Sequence, residues 1–187
     1  MTQAASAEQI LEQVKQKWGF VPNVLTEMAK SPAALQVYLG GGKALAGAAL
    51  TPKQQQAVQL ATSTLNGCQY CQAAHTMGGK AAGISPDYIE AIKAGGEPAD
   101  AAVRAAVAPT RLLEEKQGWL EDADLQQLEA QGIDRARLYE VIAITGLKKI
   151  SNYVNHIAHT ALDPQFQSEP AIPSGPQSGP PRRPNAR

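Results

Sequence analysis

Prolines recur along this chain where helices would begin: Val21-Pro22, Ser31-Pro32, Thr51-Pro52, Ser85-Pro86 and Glu97-Pro98. Proline suits the first helical position, because the N–H it lacks would have no partner there. Ser31, Thr51 and Ser85 can in addition cap the exposed amides that follow. Alanine and glutamine are abundant, aromatics few and β-branched runs scarce, so the segments between these starts read as helices and the chain as all-α.

The expected helices are Glu8 to Lys17, Pro22 to Ala29, Pro32 to about Leu45, Pro52 to Leu65, Cys68 to Ala82, Pro86 to Ala94, Pro98 to Lys116, Asp122 to Ala130 and Asp134 to Ala161. Gly40-Gly41-Gly42 falls inside the third, where each glycine costs about 1 kcal/mol against alanine. Close packing of a neighbouring helix would account for them. In the last segment Leu138, Val141, Ile142, Leu147, Ile150, Val154 and Ile157 cover a broad arc, which predicts a central helix buried on more than one side. Asp163-Pro164 ends it. Residues 1–166 then form one helical domain. Residues 167–187 are rich in Pro, Gly, Ser and Gln without an apolar pattern, and are expected to be a disordered tail. Trp18, Trp119 and the scattered tyrosines read as packing anchors.

Bulk charge excludes several functions. Seventeen basic and seventeen acidic side chains leave the 187 residues with no formal net charge, and no basic stripe marks a nucleic-acid surface. No apolar run is long enough to span a bilayer. The N-terminus lacks the regions of a signal peptide, and the protein is expected to be soluble and cytoplasmic. Gly40-Gly41-Gly42 lacks the lysine and hydroxyl of a phosphate loop, and nothing indicates a nucleotide, flavin or haem cofactor.

Both cysteines lie in Cys68-Gln69-Tyr70-Cys71, with His75 just beyond. At 100° per residue, Cys68, Cys71 and His75 share a narrow arc of one helix. A bridge closing so short a loop stabilises by about 2 kcal/mol at best, a weak use of the pair as a structural disulfide. Two inert buried thiols are a plainer alternative. Zinc would need a fourth ligand such as His156 or His159, and no second cysteine pair exists. A redox role has a direct mechanism. Amides at a helix start favour thiolate, Cys71 and His75 are neighbours at i and i+4, and the second thiol can close a disulfide. Cys68, nearer the helix start, is by this reasoning the more acidic thiol.

The run Gln56-Ala57-Val58 through Asn66-Gly67-Cys68-Gln69-Tyr70-Cys71-Gln72-Ala73-Ala74-His75-Thr76 resembles the AhpD-like, carboxymuconolactone decarboxylase superfamily. Phe20-Val21-Pro22-Asn23 and Asn152-Tyr153-Val154-Asn155-His156 extend the likeness to its peroxidase-related branch. The resemblance implies an all-α fold, homo-oligomers of three or six subunits, and reduction of small hydroperoxides or disulfides by a dithiol cycle without a cofactor. A dithiol donor such as a lipoyl protein would recycle the pair. By the same resemblance Cys71 attacks peroxide, Cys68 resolves the sulfenic acid, and His75 belongs to a proton relay. The relay's glutamate position holds Gln56, which can orient a histidine but cannot take up a proton at neutral pH. His156 and His159 are the candidate substitutes if the last helix packs on the cysteine helix. Other readings are a non-catalytic oligomer that senses oxidants or binds metal, and a decarboxylase, a class that does not depend on a cysteine pair.

Overall fold

The computed structural model describes residues 6–169. Over these residues the chain forms nine α-helices and a closing 3-10 turn, with no strand. They are α1 (Ala7–Trp18), α2 (Asn23–Met28), α3 (Pro32–Leu45), α4 (Pro52–Leu65), α5 (Gln69–Ala81), α6 (Pro86–Lys93), α7 (Ala101–Lys116), α8 (Asp122–Ala130) and α9 (Arg135–Ala158). The tail expected after Phe166 lies, beyond residue 169, outside the described residues.

Side chains fix most of the starts. Ser6 and Gln9 form a reciprocal capping box on α1, and Thr51 and Gln54 form another on α4. Ser31 accepts from the Ala34 amide and Asp134 from that of Arg137. Pro22 is the N-cap of α2 rather than its first residue, and two other proline starts also differ from expectation. Ser85 makes no side-chain cap bond, although Pro86 still opens α6. The seventh helix starts at Ala101 rather than Pro98, because Asp100 accepts from both the Ala102 and Val103 amides and so sets the boundary.

The core has two lobes that share α9. One is built from α4, α6, α7, α8 and the first half of α9, around Val58, Leu60, Ile89, Val103, Val107 and Val141. The other gathers α1, α2, α3 and α5 around Leu25, Leu35, Ala73 and Phe166, and it contains both cysteines. Helix α4 packs against α5, α7 and α9, which makes it the axis on which the site is mounted. At Gly41 the Leu147 side chain of α9 packs tightly on α3: a Cβ there would lie 2.7 Å from the Leu147 methyls. Its two glycine neighbours meet nothing within 4 Å.

Helix α9 is central and buries Leu138 and Val141 as expected, but much of the rest of its buried face is polar. Ile142 and Ile157 are exposed, whereas Lys148, Ser151, Asn152 and Asn155 are buried. The helix ends at Ala158, three residues early, with His159 in the left-handed conformation. Neither tryptophan is an anchor, Trp18 being 48% and Trp119 84% exposed. Of the tyrosines, Tyr70 is buried while Tyr139 and Tyr153 are exposed. No helix among the described residues is long and apolar enough to cross a membrane.

Candidate functional site

The turn between α4 and α5 delivers the cysteines. Asn66-Gly67 ends α4 with Gly67 at φ +66°, a conformation that costs any residue with a Cβ about 1–2 kcal/mol. The Cys68 amide then reaches back to the Ser63 carbonyl at 2.9 Å and the Gly67 amide to that of Thr64 at 3.0 Å, the paired closure of a Schellman turn. Cys68 is thus the last residue of one motif and the N-cap of the next helix. Its carbonyl accepts from the Gln72 amide at 2.9 Å, and Cys71 falls in the first turn of α5.

Tyr70 clamps this turn from behind. Its hydroxyl donates to the Asp163 carboxylate and accepts from the Val24 amide at 3.4 Å, while Asp163 also accepts from the Asn23 amide at 3.2 Å. Phe166 meets the Tyr70 ring edge-on at 5.7 Å. The start of α2, the cysteine turn and the segment after α9 are thereby tied together.

Both cysteines are free thiols and almost wholly buried. The side-chain amide of Asn155, from α9, donates to both sulfurs, at 3.2 Å to Cys71 Sγ and 3.8 Å to Cys68 Sγ. Ser151 Oγ lies 3.8 Å from Cys71 Sγ. The two thiols are pushed in opposite directions. A hydrogen bond from Cys68 lowers Cys71, burial opposes this, and the Lys148 charge with Ser151 and Asn155 lowers it further, to about 6. Cys68, the donor in that bond and itself desolvated, is raised. This reverses the ranking expected from proximity to the helix start. The Cys68 side chain makes no cap bond to the α5 amides, so the N-terminal field does not single it out. The pair is built as one thiolate and one thiol.

His75 has both ring nitrogens engaged. Nδ1 lies 3.0 Å from Gln56 Oε1 and Nε2 lies 2.6 Å from Lys148 Nζ, which is also 3.0 Å from the Tyr38 hydroxyl. An ammonium only donates and Oε1 only accepts, so the ring carries its proton on Nδ1 and is neutral. Burial, then the Lys148 charge, hold His75 well below its ordinary value. Burial opposes the charge on Lys148, but Tyr38 and the two sulfurs more than offset it, and the side chain stays an ammonium. Gly78, one turn along α5, makes room for Gln56, since a Cβ there would lie 2.5 Å from Oε1.

Cys68, Cys71, His75 and Gln56 are therefore brought together. His75 sits beside the thiols but has no ring nitrogen left for the Cys71 proton. His156 does not join: its Nε2 has no hydrogen-bond partner among the described residues, and its ring neighbours that of Tyr153. His159 is exposed at the helix end. No group of three metal-binding side chains occurs among the described residues. The residues that complete the network, Lys148, Ser151 and Asn155, were not singled out by sequence reasoning. Their signal is the spacing i, i+3 and i+7, which puts three polar side chains on one side of the helix.

Residues 31–112 match the carboxymuconolactone decarboxylase family. In fold the chain is similar to the alkylhydroperoxidase AhpD core of an uncharacterized peroxidase-related protein from Ralstonia eutropha JMP134, with a TM-score of 0.77, 22% identity and 90% of each chain covered. It is similar too to an uncharacterized peroxidase-related protein from Silicibacter sp. TM1040, at TM-score 0.76 and 20% identity over 87% of each chain. The debrominase Bmp8 in complex with 2,3,4-tribromopyrrole follows at TM-score 0.68 and 18% identity, over 87% of this chain and 88% of that one. No curated protein sequence is significantly similar to the chain.

Proposed function

We propose that the chain is a member of the AhpD-like, carboxymuconolactone decarboxylase superfamily and a thiol-dependent oxidoreductase that reduces hydroperoxides through Cys71 and Cys68. The observation that carries this reading is the opposite bias of two adjacent thiols that share one amide donor. A thiolate is the nucleophile in sulfur redox chemistry, and a neighbouring protonated thiol is suited to resolve its product.

The Cys71 thiolate attacks the terminal peroxide oxygen, the O–O bond breaks, and sulfenic acid and alkoxide result. The Lys148 ammonium supplies the proton that turns alkoxide into alcohol. The Cys68 thiol then attacks the sulfenic sulfur, the S–S bond forms, and hydroxide leaves as water with the Cys68 proton. An external dithiol, such as a lipoyl group, reduces the disulfide and is itself oxidised to one. Hydroperoxide and dithiol thus become alcohol, water and external disulfide. His75 and Gln56 hold Lys148 in place rather than passing a proton onward, since Gln56 has nowhere to put one.

Hydroperoxide reduction with excess dihydrolipoamide tests the reading, comparing the parent with Cys68→Ser and Cys71→Ser. Loss of turnover in both variants is expected, with sulfenic acid trapped in Cys68→Ser. Absence of turnover in the parent, or its survival in Cys71→Ser, refutes the proposal.

A further inference from the structure

A cleft of about 760 Å³ opens between α1, α3, α4 and α9 and ends on His75, Lys148, Gln56 and Tyr38. The chemistry above uses Lys148 of that floor, held by His75 and Gln56, while the reacting sulfurs of Cys71 and Cys68 are not among the residues that line the cleft. Trp18, Leu39, Ile144 and Leu147 give the walls an apolar surface, and the polar groups among them are mainly neutral glutamine amides. Exposed Lys17 and Lys43 stand at the mouth, neither held in an ion pair among the described residues, and no carboxylate lines the cleft.

This volume suits an organic molecule of moderate size, and hydrogen peroxide would leave most of it unfilled. Apolar walls favour a hydrocarbon body, because each CH₂ removed from water contributes about 0.8 kcal/mol. Cations at the mouth without a compensating acid favour a negative end there. We infer that the substrate is an amphipathic organic acid hydroperoxide. Its hydrocarbon lies along Trp18, Leu39 and Leu147, its carboxylate meets Lys17 and Lys43, and its hydroperoxide group reaches the Lys148 floor. This rests on the thiol-redox reading and narrows it to a substrate class.

The test compares kcat/KM for a fatty-acid hydroperoxide with that for its methyl ester, at excess dihydrolipoamide. A preference of about five- to tenfold for the acid is expected, because each exposed ion pair contributes up to about 1 kcal/mol. The preference shrinks with added salt. It disappears in the Lys17→Gln/Lys43→Gln double variant, which keeps the parent's rate on the ester. Equal rates for acid and ester in the parent, or a preference that survives in the double variant, overturn the inference. If neither hydroperoxide turns over, the redox reading fails, and a second measurement decides the cleft. Decanoate should then shift Trp18 fluorescence in Trp119→Phe protein at concentrations where methyl decanoate does not. Lack of that difference overturns the anion-binding cleft as well.

Discussion

Replacing Lys148 by methionine removes the cation that, among the described residues, acts on both the sulfur pair and His75, while keeping length and apolar volume. Cys71 stands at about 6 against an ordinary thiol value of 9.0, with Cys68 the largest cause and Lys148 the largest charge. Loss of a nearby opposite charge raises a thiol by about one pH unit or more, because the thiolate loses its partner. At pH 6 the ionised fraction would fall from about one half to about one tenth, a roughly fivefold loss of reacting thiolate. Near pH 8.5 both proteins are almost fully ionised and the difference closes. The thiolate's ultraviolet absorbance, followed across this range in reduced protein, reads the midpoint without requiring a reagent to reach a buried sulfur. Cys68→Ala should move it further than Lys148→Met, since the Cys68 bond is the larger cause. A Lys148→Met midpoint equal to the parent's, in protein whose thermal unfolding is intact, would refute the assignment of Lys148 as the charge that holds the thiolate.

Gly78→Ala places a methyl 2.5 Å from Gln56 Oε1, so Gln56 must leave His75 Nδ1. The imidazole nitrogen NMR shifts should change while stability stays within about 1 kcal/mol, helix propensity favouring alanine. Tyr70→Phe removes the hydroxyl shared by Asp163 and the Val24 amide, and a loss of about 1.5–3 kcal/mol is expected in denaturant titration. A loss under about 0.5 kcal/mol would mean that the clamp is held by the Phe166 contact instead. Gln56→Glu should raise the midpoints of both His75 and Cys71, read by NMR and thiolate absorbance respectively.

The fold was legible because helix starts in this chain are written in local chemistry. Proline after a hydroxyl residue and an apolar stripe at the right period located most helices to within a few residues. The failures show where local signals compete. Asp100 caps two amides and outweighs Pro98, which only tolerates a helix start. Sequence periodicity marks Ile142 and Ile157 as core, yet a helix apolar on more than one face leaves open which face turns inward. The answer lies in the partners: α5 presents sulfurs and an imidazole, so α9 answers with Lys148, Ser151 and Asn155. A lysine in a helix reads as solvated until a buried site gives it something to donate to. The helix-start argument for Cys68 failed for a similar reason, since the Cys71 thiolate is favoured by the bond from Cys68, the Lys148 charge and the side chains of Ser151 and Asn155, none of which is written in position along α5.

Charge balance gives the Gln56 position a different meaning from a damaged relay. The buried network holds one cation, Lys148, and one anion, the Cys71 thiolate, with His75 neutral between Lys148 and an uncharged amide. A carboxylate at position 56 would add a second buried anion, coupled to Lys148 through the imidazole. It would draw the ammonium's field away from sulfur and favour protonation of His75. In this site glutamine thus leaves the lysine's charge to the thiolate, and in the proposed mechanism the proton that a relay would carry comes from Lys148. The Gln56→Glu variant separates the two accounts. A higher Cys71 midpoint with slower turnover at pH 6 follows from charge balance. Faster turnover with an unchanged midpoint would mean that proton relay limits the parent, and the balance argument would fall.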